Sequence, residues 1–122
     1  SVLVRVLNIF IELYRVIVLY YSNCNGFSVG YLSVAQQNQG DYFLNKFYID
    51  PNEHRKNIGE NSFLLLLNLL PDLNTMRLTV NRSNFKSINF YFKLGFIIEE
   101  VKDFDIGNNY FMNDFIMIYK RK

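Results

Sequence analysis

Residues 41–80 read DYFLNKFYID PNEHRKNIGE NSFLLLLNLL PDLNTMRLTV, and the order of patterns within them decides the fold. Asp41–Ile49 is rich in aromatic residues and predicts a strand. Asp50–Asn57 holds a proline among polar groups and predicts a loop. From Ile58 the composition turns leucine-rich for 13 residues, up to Pro71, which favours a helix over a strand. Met76–Val80 is a second, shorter strand. A strand, helix and strand in this order predict a right-handed crossover joining a parallel pair.

Working outward, Val2–Leu7 predicts a strand, and Asn8–Tyr14 a short helix with Ile9, Phe10 and Leu13 on one face. Arg15–Tyr21 and Phe27–Ala35 predict an antiparallel hairpin around a turn at Ser22–Gly26, and Gln36–Gly40 is a further polar turn. Beyond residue 80, Asn81–Asn84 is polar, Phe85–Leu94 is a helix stopped by Gly95, and Phe96–Val101 is a strand. Lys102–Asn109 is a loop and Tyr110–Tyr119 a last strand. The class is therefore α/β (α+β): a mixed, mostly antiparallel sheet around a central βαβ unit, with helices on its faces. Residues 1–122 form one domain in this reading.

Composition narrows the function. Half of the 122 residues are hydrophobic, enough for a buried core. The single cysteine, Cys24, excludes an internal disulfide framework and a cysteine-based zinc site, and it suits a reducing, cytoplasmic compartment. Cys24 sits in a predicted turn with no histidine nearby in sequence, so it reads as an inert thiol. His54 is the only histidine, and no metal is expected. A net charge of +2 is too small to argue for nucleic acid, and Lys120-Arg121-Lys122 reads as a frayed end. Arg5, Asn8, Glu12 and Arg15 interrupt the apolar opening, so no run approaches the ~20 residues needed to span a bilayer, and no membrane role is expected. The chain opens on Ser1 rather than Met, so the front of the native protein is expected to be missing.

Two segments carry chemistry. The loop before the leucine-rich helix holds His54, Arg55 and Lys56, with Gly59 in the first helical turn. Free backbone N–H groups and the helix dipole attract anions there, and a phosphate is the natural guest, against a simply solvated basic loop. The second is Asn84-Phe85-Lys86-Ser87-Ile88-Asn89-Phe90-Tyr91-Phe92-Lys93-Leu94-Gly95-Phe96. On a helix Ser87, Ile88 and Tyr91 share a face. Tyr91 is then either a core residue with its hydroxyl at the rim or a proton donor beside a pocket.

In this order and at this separation, the two segments resemble the GNAT N-acetyltransferase superfamily. FLNKFYIDPNEHRKNIGENSFLLLL is similar to its acetyl-CoA motif: a strand ending in a hydrophobic residue, then x-Pro, then Arg/Gln-x-x-Gly-x-Gly/Ala. Asn84–Phe96 matches Asn-x-x-Ala/Ser-x-x-x-Tyr-x-x-x-Gly-Phe at every defined place, and IGNNYFMNDFIM (106–117) is similar to an ending of many bacterial members. The resemblance covers roughly residues 27–120. It departs at His54, where Arg or Gln is usual, and at Asn57, where the first Gly is usual; Gly59 keeps the last. Asn tolerates unusual φ but its side chain takes space, while Arg55 and Lys56 supply charge. The resemblance also implies a GNAT-like fold with a shortened N-terminal part, because members place a strand and two helices before the central hairpin.

By position, the resemblance implies that backbone groups of Phe47, Tyr48 and Ile49 hold the pantetheine arm of acetyl-CoA. Backbone N–H groups of Arg55, Lys56, Asn57, Ile58, Gly59 and Glu60 would cradle the pyrophosphate, and Asn84 would contact the cofactor. Tyr91 would protonate the departing thiolate. The implied reaction moves an acetyl group to a primary amine, of a small molecule or a protein, by direct attack in a ternary complex. Many members use a strand glutamate as base, but beyond Asp41 the strands Asp41–Ile49 and Met76–Val80 hold no carboxylate; Asp50 and Glu53 are then either surface loop charges or the base, acting through water. Glu99, Glu100, Asp103 and Asp105 are either solvated or attract a cationic acceptor. The alternative is a degenerate member that holds acyl-CoA or a partner protein without turnover. A last strand exposed at a sheet edge allows a homodimer.

Overall fold

The computed structural model describes residues 2–11, 14–23, 28–52, 57–108 and 110–122. They form two compact units, Ser1–Leu73 and Asn74–Lys122.

In Ser1–Leu73, four strands run as an antiparallel meander: β1 (Val2–Ile11), β2 (Tyr14–Asn23), β3 (Ser28–Asn38) and β4 (Asp41–Ile49). Helix α1 (Ile58–Leu69) follows. The helix expected at Asn8–Tyr14 does not form. Asn8 pairs with Ile17, Ile9 with Val16, Phe10 with Arg15 and Ile11 with Tyr14, so these residues extend β1. A seven-residue helix makes few hydrogen bonds for its nucleation cost, whereas the β-branched Ile9 and Ile11 suit a ladder. The hairpin of β2 with β3 and the bounds of β4 match expectation. The turn expected at Ser22–Gly26 falls largely on residues 24–27, Cys24 among them, outside the described residues.

The core of this unit holds Ile17, Leu32, Val34, Tyr42, Leu44, Phe63, Leu66, Leu67, Leu70 and Leu73. On α1, Phe63, Leu66 and Leu67 recur at helical spacing, while Leu64 faces solvent. Ser62 is buried without penalty because its hydroxyl donates to the Ile58 carbonyl at 2.5 Å. The buried Tyr42 sends its hydroxyl to both carboxylate oxygens of Asp72 at 3.0 Å, tying β4 to the turn that ends α1.

In Asn74–Lys122 the chain runs β5 (Thr75–Asn81), α2 (Phe85–Leu94), β6 (Ile97–Gly107) and β7 (Tyr110–Lys120). β7 lies between β5 and β6, antiparallel to both, so the last strand is paired on both sides rather than exposed at a sheet edge as expected. The loop expected at Lys102–Asn109 is instead strand as far as Gly107. Lys102 pairs with Asp114, Asp103 with Asn113 and Asp105 with Phe111. Aspartate is a poor strand former, but the ladder bonds to β7 outweigh that preference, and Arg82 forms an ion pair with Asp103. Glu99 is an extra residue between the pairs Ile98–Met117 and Glu100–Ile116, and Arg77 binds it through two hydrogen bonds of 2.8 and 3.2 Å.

Candidate active site

The N-terminus of α1 is the first piece. Asn57, the residue before the helix, has φ 55° and ψ 23°, the left-handed conformation that glycine adopts most cheaply. Asn57 thus holds a backbone shape that favours Gly, using the residue that tolerates it next best. The Asn57 carbonyl accepts the first helical bond, from Asn61 N–H at 3.0 Å, but its side chain makes no cap. By helix geometry the N–H groups of Ile58 and Gly59 have no acceptor within the helix. Ile58 is buried as an anchor, whereas Gly59 adds no side chain that would hold a ligand away. Glu60 lies in the same first turn. Glu53, His54, Arg55 and Lys56 lie outside the described residues.

The end of β4 is the second piece. Ser33 pairs with Lys46 but Val34 pairs with Leu44, so Asn45 is inserted as a bulge. The insertion reverses the strand's alternation. Tyr42 and Leu44 are buried before it, while after it Lys46 and Tyr48 are exposed and Phe47 and Ile49 are half-buried. Tyr48 packs its ring on its cross-strand partner Tyr31, centroids 5.9 Å apart. Gly30, opposite Ile49, is buried where a Cβ would strike the Tyr48 carbonyl oxygen and approach Ile49 Cδ1 to 2.9 Å. Asp50 is engaged locally, its Oδ1 accepting the Asn52 N–H at 2.9 Å.

In Asn74–Lys122, helix α2 carries the second motif. Asn81 Oδ1 accepts the N–H and hydroxyl of Ser83 at 2.9 and 2.5 Å, and the Asn81 carbonyl accepts the Asn84 N–H at 3.0 Å. This turn delivers Asn84 as the N-cap, with its Oδ1 accepting the Ser87 N–H at 3.2 Å. At the other end Gly95 is left-handed, with φ 104°. Gly95 N–H donates to the Phe92 carbonyl and Phe96 N–H to the Tyr91 carbonyl, each at 3.0 Å. This is a Schellman cap, and the hydrophobic contact that accompanies such caps is here Tyr91 against Phe96. Those rings meet edge to face at 5.6 Å, with Phe90 5.7 Å from Tyr91 and Tyr119 5.7 Å from Phe96. Burial among these rings pushes the Tyr91 phenol above its ordinary value of 10.0, so it holds its proton throughout the neutral range.

The sequence pattern described as Acetyltransferase (GNAT) family matches residues 10–96, most of the chain. The chain belongs to the GNAT acetyltransferase family. No curated protein matches it. Among solved structures, it is similar to the PaiA N-acetyltransferase of Thermoplasma acidophilum in complex with coenzyme A. That likeness has TM-score 0.71 and 25% identity over 87% of this chain and 61% of the other. It is also similar to Ard1 from Thermoplasma volcanium (TM-score 0.72, 23% identity, 84% of this chain and 69% of that one). A third is the ribosomal-protein-S18-alanine N-acetyltransferase of Escherichia coli (TM-score 0.69, 19% identity, 84% and 67%). The chain therefore spans about three fifths of the Thermoplasma acidophilum structure, and its fold is the mixed, mostly antiparallel α/β fold of these GNAT proteins.

Several features of this GNAT chain escape a reading of sequence alone. The bulge at Asn45 is signalled only by the loss of alternation in FLNKFY. Glu99 and Asp103 are not an open acidic cluster, because Arg77 and Arg82 bind them. Asp114, 5% exposed on β7 opposite Asn81 and Lys102, is a buried carboxylate whose Oδ1 meets no donor among the described residues. No group of three His, Cys, Asp or Glu residues suited to a metal occurs among the described residues, and no described helix is long and apolar enough to cross a membrane.

Proposed function

We propose that this GNAT chain is an acetyl-CoA-dependent N-acetyltransferase, with residues 1–122 as its catalytic domain, acting on a primary amine of a small molecule or a protein. The observation that carries the proposal is the opening of α1: a glycine-like backbone at Asn57, an unused side-chain cap, and Gly59 beside it. A diphosphate there would accept the first-turn N–H groups and gain from the helix dipole. Ile58, Gly59 and Glu60 would supply backbone donors together with Arg55, Lys56 and Asn57. Backbone groups of Phe47, Tyr48 and Ile49 would hold the pantetheine, and Asn84 would make a further contact. The coenzyme A carried by the Thermoplasma acidophilum structure supports the same cofactor class.

When bound, acetyl-CoA supplies an activated thioester. The amine nitrogen attacks the thioester carbon, the carbon–sulfur bond breaks, and the acetyl group leaves as an amide while coenzyme A departs as a thiolate. Positioning both substrates in one complex accounts for much of the acceleration. Backbone donors on β4 would stabilise the developing oxyanion. Tyr91, kept as a phenol by its aromatic surroundings, would protonate the thiolate. The proton lost by the amine would leave through water to Asp50 or Glu53. A cytoplasmic location, where acetyl-CoA is made and the lone Cys24 stays reduced, belongs to the same reading.

Two measurements test this. Thermal unfolding with acetyl-CoA at ~100 Kd should show about 2.7 kcal/mol of added stability. Release of free thiol over an amine panel should then accompany amide formation one for one. Binding without thiol release would make the chain an acyl-CoA-binding module, and absence of both would overturn the proposal.

A further inference from the structure

Asp114 is a carboxylate that the fold buries and leaves unanswered. It stands on β7 with 5% exposure, and its Oδ1 meets no donor among the described residues. Taking a carboxylate out of water without a donor costs free energy, so the group needs a reason to be there. Of the other carboxylates in Asn74–Lys122 whose side chains are described, Glu99 is bound by Arg77 and Asp103 by Arg82. Glu100 has Lys102 Nζ 4.0 Å from its Oε1. The register sets Asp114 opposite Asn81 on β5 and Lys102 on β6. Alternation along the strands then gives it a face shared with Arg77, Thr79, Asn81, Glu100 and Lys102. Thr79 and Asn81 are exposed, so this face can be approached, and Asn81 also builds the turn that delivers Asn84. Tyr119 lies on the opposite face of β7, and its ring packs on Phe96, the partner of Tyr91.

We propose that Asp114 takes the proton of the acceptor's ammonium group, through one water, and so frees the amine for attack. The inference rests on the transferase reading. It gives the proton Asp114 in place of the loop carboxylates, of which Asp50 already accepts the Asn52 N–H. A primary alkylamine is an ammonium ion at neutral pH, since such groups titrate near ~10, and it cannot attack until a proton leaves. An acceptor seated over Thr79 and Asn81 brings its N–H towards a carboxylate oxygen that lacks a donor. Because Oδ1 is buried, a water carries the proton over the last step. The first proton passes from the ammonium to Asp114 Oδ1 and then to solvent, and the freed lone pair forms the bond to the thioester carbon. The second leaves nitrogen as the amide forms and balances the proton that Tyr91 gives to the departing thiolate. With the Tyr91 ring cluster and the carboxylate on opposite faces of the strands, the acid and the base do not neutralise each other directly. The uncompensated charge in the free protein is then a base awaiting its substrate.

Asp114→Asn on the full chain tests the inference, first without substrate. The neutral amide removes a buried charge that nothing described in the free protein answers, so the variant should unfold at a higher denaturant concentration than wild type. A structural role for Asp114 would move that midpoint down. Thiol release from acetyl-CoA is then followed with butylamine, an ammonium ion at pH 7, and with trifluoroethylamine, mostly neutral there. Butylamine turnover at pH 7 should fall about 10²-fold, trifluoroethylamine turnover by less than ~10-fold, and acetyl-CoA binding by calorimetry should not change. The butylamine deficit should shrink as the pH rises towards ~10, where the amine loses its proton unaided. A variant that is less stable or unfolded, one whose turnover is unchanged, or one equally impaired with both amines at every pH would overturn the proposal. A wild type that releases no thiol with either amine fails the transferase reading instead, and a variant no more stable than wild type then overturns this inference as well.

Discussion

Tyr91 and Phe96 are joined twice, by a 3.0 Å hydrogen bond from the Phe96 N–H to the Tyr91 carbonyl and by rings that meet edge to face at 5.6 Å. The motif that ends α2 is thus also what fixes the phenol. Gly95, between them in the cap, supplies the one left-handed residue that lets the chain turn back.

Replacing Tyr91 by Phe keeps the ring contacts and removes only the hydroxyl. Turnover should fall by about 10²-fold or more with little change in acetyl-CoA affinity, measured by steady-state kinetics beside calorimetry. Because burial raises the Tyr91 phenol, wild-type turnover should show no loss assignable to its ionisation until the pH passes its ordinary value of 10.0.

Gly95→Ala forces a side chain into a left-handed position beside the Tyr119 ring, 3.4 Å from Cε2. A loss of about 1–2 kcal/mol in chemical denaturation is expected. The cap that holds Tyr91 would shift, so turnover should fall even where the protein remains folded.

Asn57 divides backbone shape from side-chain bulk. Asn57→Gly keeps the left-handed geometry and clears the approach to the α1 N-terminus, so acetyl-CoA should bind more tightly by calorimetry. Asn57→Ala should cost stability at the same φ. Equal or weaker binding by the glycine variant would mean that the ligand does not use this helix end.

Gly30→Ala probes β4 from its neighbour. The added Cβ would press on the Tyr48 carbonyl and Ile49, and overpacking of this kind costs about 1–3 kcal/mol. If the pantetheine uses the backbone of Phe47–Ile49, the acetyl-CoA dissociation constant should rise as well, beyond what unfolding explains.

The ion pair of Arg77 with Glu99 sets a pH dependence. Its hydrogen bond to Arg77 holds the Glu99 carboxyl below the ordinary 4.5, so the pair adds stability above that value and loses it as pH falls through the lowered one. Glu99→Gln should therefore be less stable than wild type near neutrality, with the gap closing in acid, followed by denaturation at several pH values.

What the sequence discloses follows the strength of its local signals. Asp41–Ile49 and Phe85–Leu94 are legible to the residue, because an aromatic strand and a helix bounded by Asn84 and Gly95 carry their own start and stop marks. Asn8–Tyr14 and Lys102–Asn109 are misread because their conformation comes from a partner strand: the ladders to β2 and β7 override short-range preference. Among the candidate residues, Tyr91 has its place on α2 from helical spacing, whereas Asn84 is singled out only by the family resemblance. The left-handed backbone at Asn57 is only hinted at by an Asn in a Gly position. The Asn45 bulge leaves only a lost alternation in FLNKFY, and the binding of Glu99 by Arg77 depends on a contact between strands, which no local pattern encodes.

The central claim is that acetyl-CoA seats its diphosphate on the opening of α1, and backbone amide NMR during acetyl-CoA titration tests it most directly. The account predicts the largest saturable shifts at the N–H groups of Ile58 and Gly59, with Asn57 and Glu60 following on the same binding curve. Saturating acetyl-CoA that leaves those amides unmoved would contradict it.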